Sequence, residues 1–197
     1  MSESPEATNL TELIQAMEEK ADGMSQVSVN DIVDAVGRRS FAPLLLIAGL
    51  ITLAPVISTV PGIPTFMAVL VLLVSTQLLI GRKTFWLPKW LLNRSVSRKN
   101  FDKAIHLMEK PAKWVDGLLG VRLRWMTGRM GIRATAVACL LIALAMPPLE
   151  FIPFSVNGAG FALLLFGLGL VAHDGLVLSL AFLVTAATFV AMLMYFL

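Results

Sequence analysis

Between Phe41 and Ile80 the chain carries no charged side chain, and near the middle of that run stand Pro55, Pro61, Gly62 and Pro64, a cluster that does not fit inside a straight helix. A second run, from Ala134 to Ala172, repeats the plan: an apolar stretch, Pro147-Pro148, then Pro153 and Asn157-Gly158, then another apolar stretch. Crossing a bilayer takes roughly 20 apolar residues per helix, and each half-run approaches that length. The pattern predicts an all-α, polytopic integral membrane protein. It comprises two proline-broken apolar helix hairpins in a parallel pseudo-repeat, a last transmembrane helix over Leu176 to Leu197, and amphipathic cytoplasmic helices.

A shift of about 92 positions lays Pro55 on Pro147, Pro61 on Pro153 and Arg82 on Asp174 without a gap. Both units begin and end on the same face, which makes the repeat parallel rather than inverted. Prolines at Pro55, Pro61, Pro64, Pro147 and Pro153 act as structural breaks, because each lacks an N–H and frees a carbonyl. Inside hydrocarbon such carbonyls need protein or water as partners. The tips are therefore either ordinary turns at the outer face, the favoured reading, or re-entrant loops lining a polar cavity.

Outside the apolar runs the period changes. Leu10, Leu13, Ile14 and Met17 share one helical face behind an Asn9/Glu12 start signal, and Val29, Ile32, Val33 and Val36 share another behind Ser28/Asp31. Ser97 opens a helix bearing Phe101, Ile105 and Met108 on one side, with Pro111 expected to end it. Gln77, inside the second apolar helix, is expected to bond to another helix. The predicted organisation is residues 1–40 as N-terminal cytoplasmic amphipathic helices, 41–81 as the first membrane hairpin, 82–133 as a basic cytoplasmic or interfacial segment, and 134–197 as the second hairpin and last transmembrane helix.

Composition agrees with this reading: 57% apolar and 15% charged residues, with a mean hydropathy of +0.79, exceed what a soluble domain of this size shows. The acidic start, Met1 to Glu6, is unlike the cationic opening of a signal peptide, so no cleavable signal is expected. Cys139 is the single cysteine, which excludes an intramolecular disulfide and a cysteine metal cluster. Charge then sets orientation. Residues 1–39 carry a net −5, whereas residues 82–133 hold thirteen Lys and Arg against three carboxylates, a net +10. Basic segments flanking membrane helices stay in the cytoplasm, so the N-terminus and residues 82–133 are expected there. Trp86, Trp90, Trp114 and Trp125 interleave with those cations, which points to anionic phospholipid headgroups rather than nucleic acid.

Candidate functional polar residues are few. Asp174 ends a membrane helix, where it either pairs with Arg38, Arg39 or Arg82 at the rim or serves as a turn residue. Glu150 at the second tip is either a surface carboxylate or a proton or cation site. His173 has no companion at metal-ligand spacing, Asn157 sits among Gly158 and Gly160, and no nucleophile–base pair is legible. No catalytic, metal or cofactor residue is assigned.

Several stretches together carry a family resemblance: Gly37-Arg38-Arg39-Ser40-Phe41 followed by Pro43, the Pro61-Gly62-Ile63-Pro64 turn, Gly81-Arg82 followed by Trp86-Leu87-Pro88, and Gly169 through His173-Asp174-Gly175. In order and spacing the chain resembles the ExoD family of bacterial exopolysaccharide-synthesis membrane proteins, with His173 standing where the family usually has another basic residue. The resemblance implies an inner-membrane protein tied to exopolysaccharide production. Within that frame a non-catalytic accessory or scaffold is the first reading, partnered by the bilayer and by polysaccharide-synthesis proteins or a lipid-linked sugar carrier. The alternatives are a small transporter or lipid-carrier translocase, and an enzyme acting on a lipid-phosphate headgroup.

Overall fold

The computed structural model describes residues 9–36, 41–53, 62–82, 86–120, 122–150 and 155–196. In chain order these form α1 (Leu10–Ala21), β1 (Gln26–Ser28), α2 (Val29–Val36), α3 (Ala42–Leu53), α4 (Ile63–Ile80), the short α5 (Lys89–Leu92), β2 (Ser95–Ser97), α6 (Arg98–Leu118), a 3-10 turn at Arg124–Thr127, α7 (Arg129–Leu149), α8 (Ser155–Val171) and α9 (Gly175–Phe196). They divide into two compact units. One takes residues 1–40 and 84–120, the other 41–83 and 121–197.

In the first unit the expected start signals operate. Asn9 caps α1 by accepting from the Glu12 N–H at 2.8 Å. At α2, Ser28 and Asp31 bond reciprocally: the Asp31 carboxylate accepts from the Ser28 N–H and hydroxyl, and the Asp31 N–H donates back to Ser28 Oγ. α1 buries Leu13, Ile14, Met17 and Ala21, and α6 buries Phe101, Ile105 and Ala112. The two helices pack on one another. A short antiparallel ladder that no local pattern announces pairs Gln26 with Ser97, Val27 with Val96 and Ser28 with Ser95. It is extended by a matched pair of bonds, Val29 N–H to Arg94 C=O and Arg98 N–H to Ser25 C=O.

α6 corrects one expectation. It continues through Pro111 to Leu118 instead of ending there. A proline removes its own N–H from the helical ladder and crowds the carbonyl four residues back, a cost offset where Phe101, Ile105 and Ala112 hold both sides of it on the core.

In the second unit, α3, α4, α8 and α9 are apolar all round, as buried or membrane helices are. Among the described residues three helices are long and apolar enough to cross a membrane: Ile63–Ile80, Arg129–Pro148 and Gly175–Tyr195. The other two apolar helices are shorter, 12 residues for α3 and 17 for α8.

The arms of each hairpin pack chiefly on the arms of the other, α3 on α8 and α4 on α7, while α9 covers α8. Both cross-pairs are antiparallel. Gly167 lies against Leu46 and Gly160 against Thr52, and Cys139 faces Ser75 at mid-height of the α4–α7 contact. Close approach depends on missing side chains: a Cβ on Gly167 would stand 2.5 Å from the Leu46 nitrogen, and one on Gly49 would collide with the Leu164 backbone. Several polar side chains in the apolar helices bond to their own backbone, as Thr52 does to the Ala48 carbonyl and Thr185 to that of Ala181. The Gln77 Nε2 likewise donates to Leu73 C=O in its own helix.

Replacing Gly49 or Gly167 with valine is expected to destabilise the second unit by about 1–3 kcal/mol or more. Thermal unfolding of purified protein in detergent checks this. Gly117→Ala, where nothing lies within 4 Å of an added Cβ, should leave the melting temperature unchanged or raise it.

Candidate functional site

The predicted polar residues gather at opposite ends of the second unit. At one end, α7 finishes with Pro147 and Pro148 inside its last turn, and the Glu150 N–H returns to the Met146 and Pro147 carbonyls at 3.1 and 3.3 Å. The helix thus runs through Pro147 rather than breaking at it. Its closing turn aims the Glu150 carboxylate across to α4, where it accepts from the Gly62 N–H and the Thr65 hydroxyl, each at 2.6 Å. Gly62 has φ +92°, a left-handed conformation natural to glycine, and Pro64 follows in the first turn of α4, where its missing N–H costs nothing. A carboxylate at a helix N-terminus meets unpaired N–H groups and the positive end of the helix dipole. Glu150 is thereby a cap supplied by one hairpin to the other.

The opposite end holds the finish of α4 and the junction of α8, α9 and the segment before α7. α4 closes on Gly81 in the left-handed conformation, φ +76°, with the Arg82 N–H returning to the Gln77 carbonyl at 3.1 Å. α8 closes in the same way: His173 has φ +52°, and the Asp174 N–H reaches Gly169 C=O at 2.9 Å. Arg82 and His173 are exposed, and His173 Nδ1 lies 3.3 Å from the Val171 carbonyl. Asp174 is 1% exposed, and its carboxylate accepts from the Leu176 N–H at 2.9 Å and, more weakly, from that of Val177, which opens α9. The Gly175 N–H donates to Arg122 C=O at 2.8 Å, so the segment before α7 is fastened to the start of α9. A Cβ on Gly175 would strike the Leu123 carbonyl.

Asn157 stands half-buried in the first turn of α8, away from both carboxylates in sequence. Arg38, Arg39, Pro55, Pro61 and Pro153 lie outside the described residues, and with them the Arg38 and Arg39 pairings considered for Asp174. Among the described residues no group of three or more His, Cys, Asp or Glu is arranged to hold a metal ion.

Two long-range caps escaped the sequence: Glu150 on α4, and in the first unit Asp116, which accepts from the N–H groups of Leu10 and Thr11 at 2.9 Å and from the Thr11 hydroxyl at 2.6 Å. A carboxylate 106 residues from the helix it caps leaves no local signature. In chemical terms, the arrangement pairs N–H groups that the helices themselves leave without partners.

The chain matches the family model "Exopolysaccharide synthesis, ExoD" over residues 10–194. It is similar to Protein ExoD of Rhizobium meliloti (strain 1021), with 29% identity over 176 residues, covering 86% of this chain and 71% of that protein. No solved structure matches it.

Glu150→Ala should lower the stability of the second unit by about 1–2 kcal/mol, through an uncapped α4. Glu150→Gln, which keeps one acceptor oxygen, should cost less. Thermal unfolding in detergent ranks the two. A separate pH effect belongs to the first unit, where the Ser28 hydroxyl and N–H hold the Asp31 carboxyl below its ordinary value. A lowered folded-state pKa contributes stability above the unfolded value, near 4, that is lost as pH falls through the folded one. Asp31→Asn should therefore melt lower than wild type at pH 6, and the gap should narrow as the pH falls below about 4.

Proposed function

The chain belongs to the ExoD family, and from that premise we propose that it is a multi-pass protein of the bacterial inner membrane, N-terminus in the cytoplasm, serving exopolysaccharide synthesis as a non-catalytic accessory or scaffold. The observation that carries the membrane reading is the outward face of the second unit. α9 exposes Leu176, Leu180, Leu183, Val190 and Leu193, and only 17% of Gly175–Tyr195 is buried. In water such a face would be an association surface; against lipid it is at home.

Orientation rests on the antiparallel pairs. Arg82, Arg122, Arg129 and Arg133 belong to one end of the second unit and Glu150 to the other, and basic residues favour the cytoplasmic side. α9 then ends outside. The two hairpins form a parallel pseudo-repeat, a reading supported by α4 and α8 starting 92 positions apart, at Ile63 and Ser155, and closing on the equivalent left-handed residues Gly81 and His173. The matched bonds around the β1–β2 ladder support extending the duplication into the first unit, with β1–α2 answering to β2–α6.

The accessory role is supported by the use of the carboxylates: Glu150 and Asp174 both serve helix N-termini. Partners at the basic cytoplasmic side are the bilayer and either polysaccharide-synthesis proteins or a lipid-linked sugar carrier. A second reading, a small transporter or lipid-carrier translocase, draws on the repeated hairpins, an architecture such proteins use.

The tests are separable. Sodium carbonate washing should leave the protein in the membrane. With Cys139 replaced by alanine, a membrane-impermeant maleimide should label Tyr195→Cys in intact cells and Ser97→Cys only after lysis, and the reverse pattern would overturn the orientation. In a deletion strain, Asp174→Asn, which can still cap α9, should restore exopolysaccharide output fully. Loss of output at a normal amount of membrane protein would favour the translocase.

A further inference from the structure

α6 sorts its charges by face. Lys99, Lys103, His106, Lys110 and Lys113 are all exposed, and at 100° per residue they fall within an arc of about 80°, with Trp114 about 20° beyond its edge. The three carboxylates of the same helix lie to one side of that arc and are engaged. Asp102 binds Arg98 at 2.6 Å, Glu109 meets His106 at 3.3 Å, and Asp116 caps α1. The lysines form a stripe from Lys99 to Lys113, about 21 Å long at 1.5 Å per residue. Trp114, at one end of it, is 72% exposed.

Lysines one turn apart repel, and a bare indole in water is unfavourable. A solvated stripe would gain nothing from lacking a carboxylate on its own face, and would gain less from a tryptophan at its end. An anionic surface satisfies both features at once, with lysines over the charge and the indole at headgroup depth. Chain connectivity selects which surface. The segment is bounded by α4, ending at Ile80, and α7, starting at Arg129, both long and apolar enough to cross a membrane. Tethered so closely, the stripe meets the bilayer at high effective concentration before any dissolved polyanion.

We propose that the lysine face of α6 docks on anionic phospholipid headgroups, with Trp114 inserted at the interface. This rests on the membrane reading given above. The experiment uses the full chain with Trp86, Trp90 and Trp125 replaced by phenylalanine, so that Trp114 alone emits. The protein is reconstituted into nanodiscs of phosphatidylcholine, or of phosphatidylcholine and phosphatidylglycerol in equal parts, with brominated-acyl lipids as quenchers. In the anionic discs the Trp114 emission should shift to the blue and be quenched. The effect should vanish near 1 M salt, where the screening length is about 3 Å. Changing all four lysines to glutamine should weaken the docked state roughly a hundredfold, at about fivefold per lysine discounted for screening.

Equal emission in the two disc types, or quenching indifferent to salt and to the lysines, overturns the proposal. So does a wild-type response to a soluble acidic polysaccharide or nucleic acid that exceeds the response to anionic discs. Failure of the protein to enter nanodiscs at all would instead count against the membrane reading, which keeps the two apart. Because the wild-type comparisons of lipid and salt need no lysine variant, poor folding of the quadruple variant leaves the outcome decided.

Discussion

The close approach of α3 and α8 governs the second unit. Gly49, Gly160 and Gly167 leave room for backbone to lie against backbone, and helices surrounded by lipid associate mainly through such packing rather than through exclusion of water. Once α3 is taken by α8, the remaining arm of each hairpin has one apolar partner of matching length, so α4 meets α7. The interchange brings residues 62–65 beside the end of α7, where Glu150 can reach the Gly62 N–H and the Thr65 hydroxyl at the start of α4. A bulkier residue at Gly167 would act on that cap as well as on its own contact.

Four carboxylates do one kind of work. Asp31, Asp116, Glu150 and Asp174 each accept from N–H groups at or just before the first turn of a helix, two of them from a distant part of the chain. The first N–H groups of a helix have no intrahelical partner, and in apolar surroundings water cannot substitute. This economy accounts for how few acidic groups are left for chemistry in the membrane unit, and it fits a protein that supports a synthetic machinery by position. In α6 the carboxylates look sideways and inward and the lysines outward, a division of charge that a purely structural helix would not require.

The sequence by itself determined the elements. Apolar period marks α1, α2 and α6, continuous apolarity marks α3, α4, α8 and α9, and the start signals at Asn9 and Ser28 and the stop at Gly81 lie within a turn or so of the ends they set. It also carried the family, whose motifs are local. Tertiary structure alone decided partners: α3 with α8 rather than α4, the β1–β2 ladder, the passage of α6 through Pro111, and the caps from Asp116 and Glu150. The physical reason is range. A helix start depends on side chains three residues apart, whereas Glu150 and Gly62 are separated by 88 residues and Leu10 and Asp116 by 106. Glycines that read as generic small-residue faces acquire partners only when another backbone arrives to fill the space where a Cβ would stand.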